Sequence, residues 1–467
     1  MRRRLVMAVS GIVITTGGDY KWQWRSPAID RSSWETRAGR DAAKELKFRA
    51  LLRHAHAHSP YYANIMRERG LDVETCGSGD FPLLSKSLLM ANFDDIVTDR
   101  RVTKQAIADF LSRSSDPKER LFNELTVMHT SGTSGEVGYF VYSPADFGRV
   151  RSASRRNREL FRGLLPGFGR RLRRLRLAFY GATGGHFAGV TGMASMQQGM
   201  AKLFIDARAF EVNTPLPNVI AGLNRFKPDA LWGYTTALKM LGDEQRAGRL
   251  HIRPAAVAAS GETVTKADMQ FLSAAFGGAN ALSLYACTEH LMLGISDPDG
   301  ETMTLTDDNL IFEFYDDHSV ITNLFNHTLP LIRYRMSDIL RPISAADAPR
   351  IQIESLVGRN EQMPVFLNGA GVKDFISPHI INEMFVKGVT RFQMQITGPS
   401  SFRFPICVEA ELDDRERAIA AAGVRMRLAE ILAQKGLGNV AFVVEIVADI
   451  PLNERTRKFQ LIVTKKD

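Results

Sequence analysis

"HTSGTSGEVGYFVYS", residues 129–143, governs how the rest of the chain is read. Its first ten positions hold three glycines and four small hydroxyl residues. Apolar, strand-like residues flank it, whereas a plain turn needs no such density of glycine. The loop lacks the GK[ST] of a Walker P-loop and the GxGxxG of a dinucleotide-binding turn. Residues this small let backbone N–H groups close on phosphate oxygens. Thr130, Ser131, Thr133 and Ser134 add hydroxyl donors beside Gly132 and Gly135. Taken alone, the loop fits a phosphate cradle and a surface linker equally well.

Working outward, 467 residues exceed what one hydrophobic core fills, so at least two domains are expected. Hydrophobic residues at 45% and charged residues at 24% are ordinary for a globular chain and argue against disorder. The net charge of +9 favours anionic partners such as nucleotides, acyl phosphates, nucleic acid or anionic lipid. Cys76, Cys287 and Cys407 are far apart and form no CxxC pair, which speaks against a zinc ribbon or disulfide framework. The start, "MRRRLVMAVSGIVI", is basic and then apolar. An export segment, a start placed too far upstream and a buried first strand all fit it; "TTGGDYKWQW" makes a poor cleavage region. No uninterrupted apolar run of about 18 residues occurs elsewhere, so no membrane span is expected.

Residues 41–70 read as helix, restarting after Pro60 and ending at Gly70. His54, His56 and His58 invite a metal reading, but only His54 and His58 share a face and no HExxH carboxylate lies between them. Arg151, Arg155, Arg158 and Arg162 form one helical stripe that suits nucleic acid, a phosphorylated cofactor or plain solvent. No aromatic residues alternate with them, so nucleic acid is not the expected partner. Beyond, "RLAFYGATGGHF", "DALWGYTTAL", "AAVAASGE" and "ALSLYACTEH" read as buried strands entering loops, with helices over 215–226, 235–248 and 263–276 between them. That alternation predicts an α/β layered fold with ligands at the strand ends. Residues 301–357 read as a β meander. After Gly358 short strands and a helix over about 413–435 suggest a small α+β domain.

Five further stretches follow the opening loop in one order: "SGETVT" at 260–265, "YACTEH" at 285–290, "PLIRYRMSDI" at 330–339, "VGRNEQM" at 357–363 and "RTRKFQLIV" at the end. With "SPYYANIM" and "FPLLSKSLL" ahead of them, this order resembles the adenylate-forming (ANL) enzymes, specifically the phenylacetate–CoA ligase-like branch. The resemblance covers residue 45 to the end. It implies an uncertain N-terminal extension over 1–40, a large adenylation domain over 41–357 and a small mobile C-terminal domain over 358–467. The large domain would consist of layered α/β sheets with a small β subdomain.

The implied activity is ATP-dependent activation of an aryl or alkyl carboxylic acid to acyl-AMP, followed by transfer to CoA. The protein positions groups and neutralises charge more than it does covalent work. The resemblance places residues 130–135 on the β and γ phosphates, Thr288 on the α phosphate and Glu289 on Mg²⁺. Tyr285 would stack on adenine, with Ser260, Gly261 and Glu262 lining it. Asp338 would accept the ribose hydroxyls and Arg359 would contact the ribose or phosphate side. Lys458, as the catalytic lysine, would be swung in by the C-terminal domain about the hinge residue Glu361. His186, Trp232 and Tyr234 fall where relatives line the acyl pocket, though core packing explains them as well. The resemblance further implies a cytoplasmic protein and leaves a homodimer open.

The sequence also departs from the pattern. Glu136-Val137 stands where many relatives have a basic residue or proline, Ala286 replaces a glycine, "NGAGVKDF" lacks an arginine, and Arg457 replaces the glycine before the lysine. These departures keep other readings open: transfer to an amine or a carrier protein, or a nucleotide-binding relative without turnover.

Overall fold

The computed structural model describes residues 36–130, 137–156, 173–262, 264–297, 300–354, 364–376, 380–381, 384, 386–451 and 461–464. Helix α1 (Arg37–His58) starts where the Thr36 side chain accepts the Gly39 N–H, and it buries Ala43, Phe48, Leu51, Leu52 and Ala55 along one face. Ser59 caps α2 (Pro60–Arg69), with proline at the helix start. Gly70 closes α2 in the left-handed conformation at φ +62°. Both boundaries agree with the pattern read from Pro60 and Gly70. Three shorter helices follow: α3 (Lys86–Ala91), α4 (Phe93–Ile96) and α5 (Lys104–Arg113).

The glycine-rich loop joins β1 (Thr126–His129) to β2 (Tyr139–Tyr142), an antiparallel pair with Val127 opposite Val141. Helix α6 (Pro144–Arg156) leaves this hairpin. It carries Arg151 and Arg155; the rest of the arginine stripe, Arg158 and Arg162, lies outside the described residues.

The main sheet has eight strands. In chain order its elements are β3 (Leu175–Gly181), α7 (Ala188–Met196), β4 (Ile205–Glu211), α8 (Leu216–Phe226), β5 (Ala230–Tyr234), α9 (Thr235–Arg246), β6 (Ala256–Ser260), α10 (Lys266–Ala275) and β7 (Asn280–Cys287). After them come β8 (Leu291–Ser296) and β9 (Thr302–Leu305). The spatial order is β13-β9-β8-β7-β6-β5-β3-β4, where β13 is Gln352–Glu354. The strands from β4 through β7 are mutually parallel, and β8, β9 and β13 add an antiparallel flank. Strands buried on both faces read as the continuous apolar runs seen in the sequence. Leu216, Leu223, Leu238, Leu241 and Leu272 of α8, α9 and α10 cover one face, with Ala178, Tyr180, Leu231 and Val257 beneath them. On the other face Met193 of α7 packs against Leu177 and Phe179.

The meander expected over 301–357 divides between two sheets. Strands β10 (Leu310–Phe314), β11 (Ser319–Asn323) and β12 (Tyr334–Met336) make a separate three-stranded sheet, whereas β9 and β13 join the large one. This smaller sheet, the β1–β2 hairpin and helices α1 to α5 share one core around Phe48, Tyr62, Phe140, Ile321 and Tyr334. Buried charge fixes α1 here. Arg40 lies 2.9 Å from Asp308 and 3.5 Å from Asp307, with both carboxylates fully shielded from solvent.

The C-terminal portion has a hairpin, β14 (Val365–Leu367) with β15 (Lys373–Phe375), and a five-stranded sheet. That sheet comprises β16 (Val389–Phe392), β17 (Met394–Gly398), β18 (Ser401–Val408), β19 (Ala441–Ile446) and β20 (Ile462–Thr464). Helix α11 (Asp414–Lys435) begins with an Asp413–Glu416 capping box and ends at Gly436. The portion is α+β, as read from the sequence.

Its hydrophobic residues continue the core of the large sheet, and the join carries a buried polar seam. Lys435, its side chain fully buried, lies 2.8 Å from Asp374 and donates to the carbonyls of Val212 and Thr214. Asp374 in turn accepts the Leu216 N–H at 3.1 Å. Among the described residues the hydroxyl of Tyr180, whose ring packs on Phe375, and the Oδ1 of Asn213 are buried without a hydrogen-bond partner. Among the described residues no helix is long and apolar enough to cross a membrane.

Candidate active site

The parallel strands β3, β4, β5, β6 and β7 end at Gly181, Glu211, Tyr234, Ser260 and Cys287, and the loops beyond them carry the candidate residues. Ligands in open α/β sheets sit outside such carboxyl ends. Between β7 and β8 the chain turns through Thr288, Glu289 and His290, with Cys287 opposite Leu291. Leu291 takes φ +58°, a left-handed conformation unusual for a side chain of its size.

The turn is clamped from outside. The Tyr142 hydroxyl donates to the carbonyl of Thr288 at 2.6 Å and to that of Glu289 at 3.0 Å. Burial pushes this hydroxyl well above its ordinary value, so it stays a donor. Asn323 Nδ2 reaches the same Glu289 carbonyl at 3.3 Å, while Asn323 Oδ1 accepts from Phe325 and Asn326 at 3.0 Å each.

Tyr142 lies opposite Thr126, at the end of β2 away from the glycine-rich loop, so the turn is tied to the strand that follows the loop. The loop's base is also locked. Thr130 N–H donates to the Gly138 carbonyl, and Gly138 N–H donates to Thr130 Oγ1 at 3.0 Å. A Cβ at Gly138 would stand 2.9 Å from the Phe140 ring and 3.0 Å from Lys86 Cε, so glycine is required there. Ser131, Gly132, Thr133, Ser134 and Gly135 lie outside the described residues.

Two more anchors hold this hairpin. Asn326 Nδ2 donates to the Val141 carbonyl at 3.1 Å. Asp146, fully buried, accepts from Ser143, Arg149, the His327 N–H and Thr328. Buried carboxylates survive when saturated with donors in this way.

Tyr285 and Asp338, far apart in sequence, meet: the Tyr285 hydroxyl donates to Asp338 Oδ2 at 2.8 Å, and both are buried. One oxygen of the candidate ribose acceptor is thus already engaged by the candidate adenine platform. The N-terminal motifs converge here as well. The Tyr62 hydroxyl donates to the Pro330 carbonyl at 3.0 Å and accepts the Ile332 N–H. Leu84 exchanges backbone hydrogen bonds of 3.0 Å with Arg333 and Arg335, which brings Lys86 beside the loop.

The adenine-side candidates divide. Gly261 takes φ +78°, with the Tyr234 ring 2.9 Å from where a Cβ would stand. Ser260 Oγ accepts Trp232 Nε1–H at 2.7 Å. The carboxyl of Glu262 is turned inward, where it accepts the Thr236 N–H at 2.7 Å at the start of α9; its Oε1 has no partner. Its carboxyl therefore caps a helix. Burial raises it to about 7.

The acyl candidates divide too. Trp232 and Tyr234 both face Phe179, at ring distances of 4.7 Å and 6.3 Å. His186 instead lies 3.2 Å from Ser114 Oγ and packs on Phe110. Glu211 organises the loop leading to it, accepting from the Thr183 and Gly184 N–H groups and the Thr183 hydroxyl. His54 packs with its ring tilted against those of His58 and His327. Arg359, Glu361 and Lys458 lie outside the described residues.

Magnesium, which the resemblance implies, asks for oxygen ligands. Among the described residues no group of three or more acidic, histidine or cysteine side chains gathers as a metal cage. The Glu289 backbone is held by Tyr142 and Asn323, which leaves its carboxylate, an oxygen ligand, on a fixed turn. That residue fits the group.

Tyr142, Asn323, Lys86 and Glu211 escape a sequence reading as site residues. Lys86 had a signal, since "FPLLSKSLL" was already matched to a motif. Tyr142 had none beyond its place in a strand.

Burial also sets a pH dependence of stability. His129, His290 and His327 are pushed down to about 4, about 3 and about 2, chiefly by burial, from an ordinary 6.5. As pH falls through 6.5 the unfolded chain binds protons that the folded chain cannot, so stability declines toward pH 4. Glu262 works in the opposite direction. Its folded-state proton is held up to about 7 against an ordinary 4.5, so its contribution is lost as pH rises between those values. Glu262→Gln is expected to match the native protein near pH 4.5 and to exceed its stability at pH 8 by up to roughly 3 kcal/mol. Urea unfolding midpoints of both proteins from pH 4 to 8 check this; parallel curves would contradict it.

The parallel sheet with its antiparallel flank, the separate three-stranded sheet and the α+β C-terminal portion together make a fold similar to that of solved 2-hydroxyisobutyryl-CoA ligase structures. Among solved structures the chain is similar to 2-hydroxyisobutyryl-CoA ligase in complex with 2-HIB-AMP and CoA in the thioesterification state. The TM-score is 0.58 over 96% of this chain and 95% of that one, at 19% identity. An open conformation of the same ligase, with 2-HIB-AMP and CoA, gives 0.54 over 97% and 99% at 18% identity. Its postadenylation state with R3-HIB-AMP gives 0.54 over 96% and 95% at 19% identity. At these identities the likeness is one of fold. No family model matches the sequence, and no curated protein matches it.

Proposed function

We propose that the protein activates a carboxylic acid with ATP and passes the acyl group to CoA. The observation that carries this reading is the hydrogen-bonded joint, through Tyr142, between the strand after the glycine-rich loop and the Thr288–Glu289 turn. The buried Tyr285–Asp338 pair supports the nucleoside side of the reading. In the first step the acid's carboxylate oxygen bonds to the α-phosphorus as pyrophosphate departs. Backbone N–H groups of residues 130–135, Thr288 and Lys86 supply donors to the phosphates, and Arg359 adds charge. Mg²⁺ held by Glu289 would neutralise charge on the leaving pyrophosphate. In the second step the CoA thiol bonds to the acyl carbon as AMP leaves with its oxygen.

Residues 358–467 act as a module that turns about Glu361 and carries Lys458 to the forming phosphate. Phe179, Trp232 and Tyr234 give the acid an apolar, aromatic wall. His186 lies against Ser114 and Phe110.

Acid-dependent exchange of labelled pyrophosphate into ATP, screened over aromatic and aliphatic acids, is expected to show turnover with an acid of apolar body. Silence with every acid would favour a nucleotide-binding protein without turnover. AMP release that depends on an amine or a holo-carrier in place of CoA would move the second step to that acceptor.

A further inference from the structure

Two aromatic side chains on the face of the large sheet that meets α7 lean the same way. Phe179 on β3 and Trp232 on β5 are register partners, and Trp232 stands opposite Ala258 of β6. From that row both rings reach one pleat onward, toward the carboxyl ends of the strands. The Phe179 ring lies over Gly181, where a Cβ would collide with it, and a Cβ at Gly189 of α7 would stand 2.8 Å from the same ring. The indole packs on the cluster of Ala258, Leu282, Leu284 and Ile295 and donates its Nε1–H to Ser260 Oγ at 2.7 Å.

Each ring is thus held. Phe179, sealed from solvent, is wedged between two glycines, and the indole rests on it at 4.7 Å with a tilt of 53°. One row on, Tyr234 is the register partner of Ser260, and Gly261 lies so close that a Cβ would stand 2.9 Å from its ring. Glu262 accepts the Thr236 N–H. Ser260, Gly261 and Glu262 therefore grip Trp232, Tyr234 and Thr236 in turn. A tryptophan side chain has one donor, its Nε1–H, and no acceptor. Here that donor is spent inside the protein. Trp232 is partly exposed, so Phe179 backs the wall and Trp232 faces the acid.

We infer that Trp232 is the specificity-determining residue of the acyl site and that Ser260 positions it, so the site takes acids with an unsubstituted hydrocarbon body and turns away those carrying a hydroxyl against the indole. This rests on the function proposed above. A hydroxyl pressed on a ring without a free donor or acceptor loses water and gains no partner. An apolar wall discriminates against an added hydroxyl by at most about 10²-fold. The indole cannot turn to serve that hydroxyl without giving up Ser260 and leaving Phe179.

The test pairs benzoate, 3-phenylpropionate and hexanoate with 4-hydroxybenzoate, 3-(4-hydroxyphenyl)propionate and 6-hydroxyhexanoate in pyrophosphate exchange. The ratio of kcat/KM, plain acid over hydroxylated, is expected to be about 10- to 100-fold for the pair the native protein uses best. Ser260→Ala releases the Nε1–H as a donor and should cut that ratio about fivefold. Any effect on the nucleotide cancels in the ratio. Ser260→Thr keeps the acceptor and should restore it. Ser260→Cys, with a weak acceptor of similar size, should move the ratio as alanine does and decides the matter if the alanine variant does not fold. A merely structural serine would lower kcat/KM for both acids of a pair alike, so an unchanged ratio in the alanine and cysteine variants would overturn the inference. So would a native ratio near one in every pair. If the native protein exchanges nothing, calorimetry of the same pairs in the presence of AMP reads the ratio without turnover. A clear preference for the plain acids there would uphold the inference while the proposed function fell. Equal binding, or none, would end both.

Discussion

Lys435→Ala is expected to lower the unfolding free energy by about 3–5 kcal/mol, the usual cost of removing one partner from a buried ion pair. The lysine lies 2.8 Å from Asp374, and its ammonium also feeds the carbonyls of Val212 and Thr214. Burial pulls the ammonium below its ordinary value, and Asp374 counters that pull. Without the ammonium the aspartate keeps only backbone donors, the Leu216 and Phe375 N–H groups, and two carbonyls lose theirs. The double variant Lys435→Met with Asp374→Leu should recover most of the loss, since a buried pair is replaceable by apolar packing. Urea melts of the three proteins measure both effects. A single variant as stable as the native protein would contradict the assignment. Because the seam ties α11 and β15 to the β4–α8 loop, the single variant should also free the C-terminal portion. Faster proteolysis between residues 355 and 363 is expected.

Lys458→Ala should lower acid-dependent pyrophosphate exchange by about 10²–10³-fold, the usual effect of removing one donor from a developing oxyanion. Transfer to CoA from synthetic acyl-AMP should survive, because pentavalent phosphorus does not arise in that half. Lys458 lies just before β20, which pairs in parallel with β17. Equal loss in both half-reactions would contradict the role. The two lysine variants are expected to separate: Lys435→Ala in stability, Lys458→Ala in the first half-reaction.

Much of this architecture is legible in the residues. The strands at 175–181, 230–234, 256–260 and 280–287 are continuous apolar runs, and such runs report a sheet covered on both faces. Gly70 and Pro60 mark helix ends because each solves a backbone problem that few residues can. The meander's division between two sheets is not legible, because strand period reports burial of a face and not the partner strand. Lys435 reads as an ordinary cation at a helix C-terminus, where the dipole welcomes it. Its burial comes from the β4–α8 loop, more than 200 residues away. Glu262 sits in a motif that suggests a nucleotide, yet its carboxyl faces the N–H groups of α9. A motif places a backbone, and rotamers within it answer to whatever donor lies closest. Tyr142 is hidden for a related reason: its value comes from one atom at the far end of a residue that otherwise packs like any strand aromatic.

The fasteners of the β1–β2 hairpin sit at Thr130, Gly138, Val141, Tyr142 and Asp146. Among the described residues these fasteners span both ends of β2, so the strand works as a stiff strut between its neighbours.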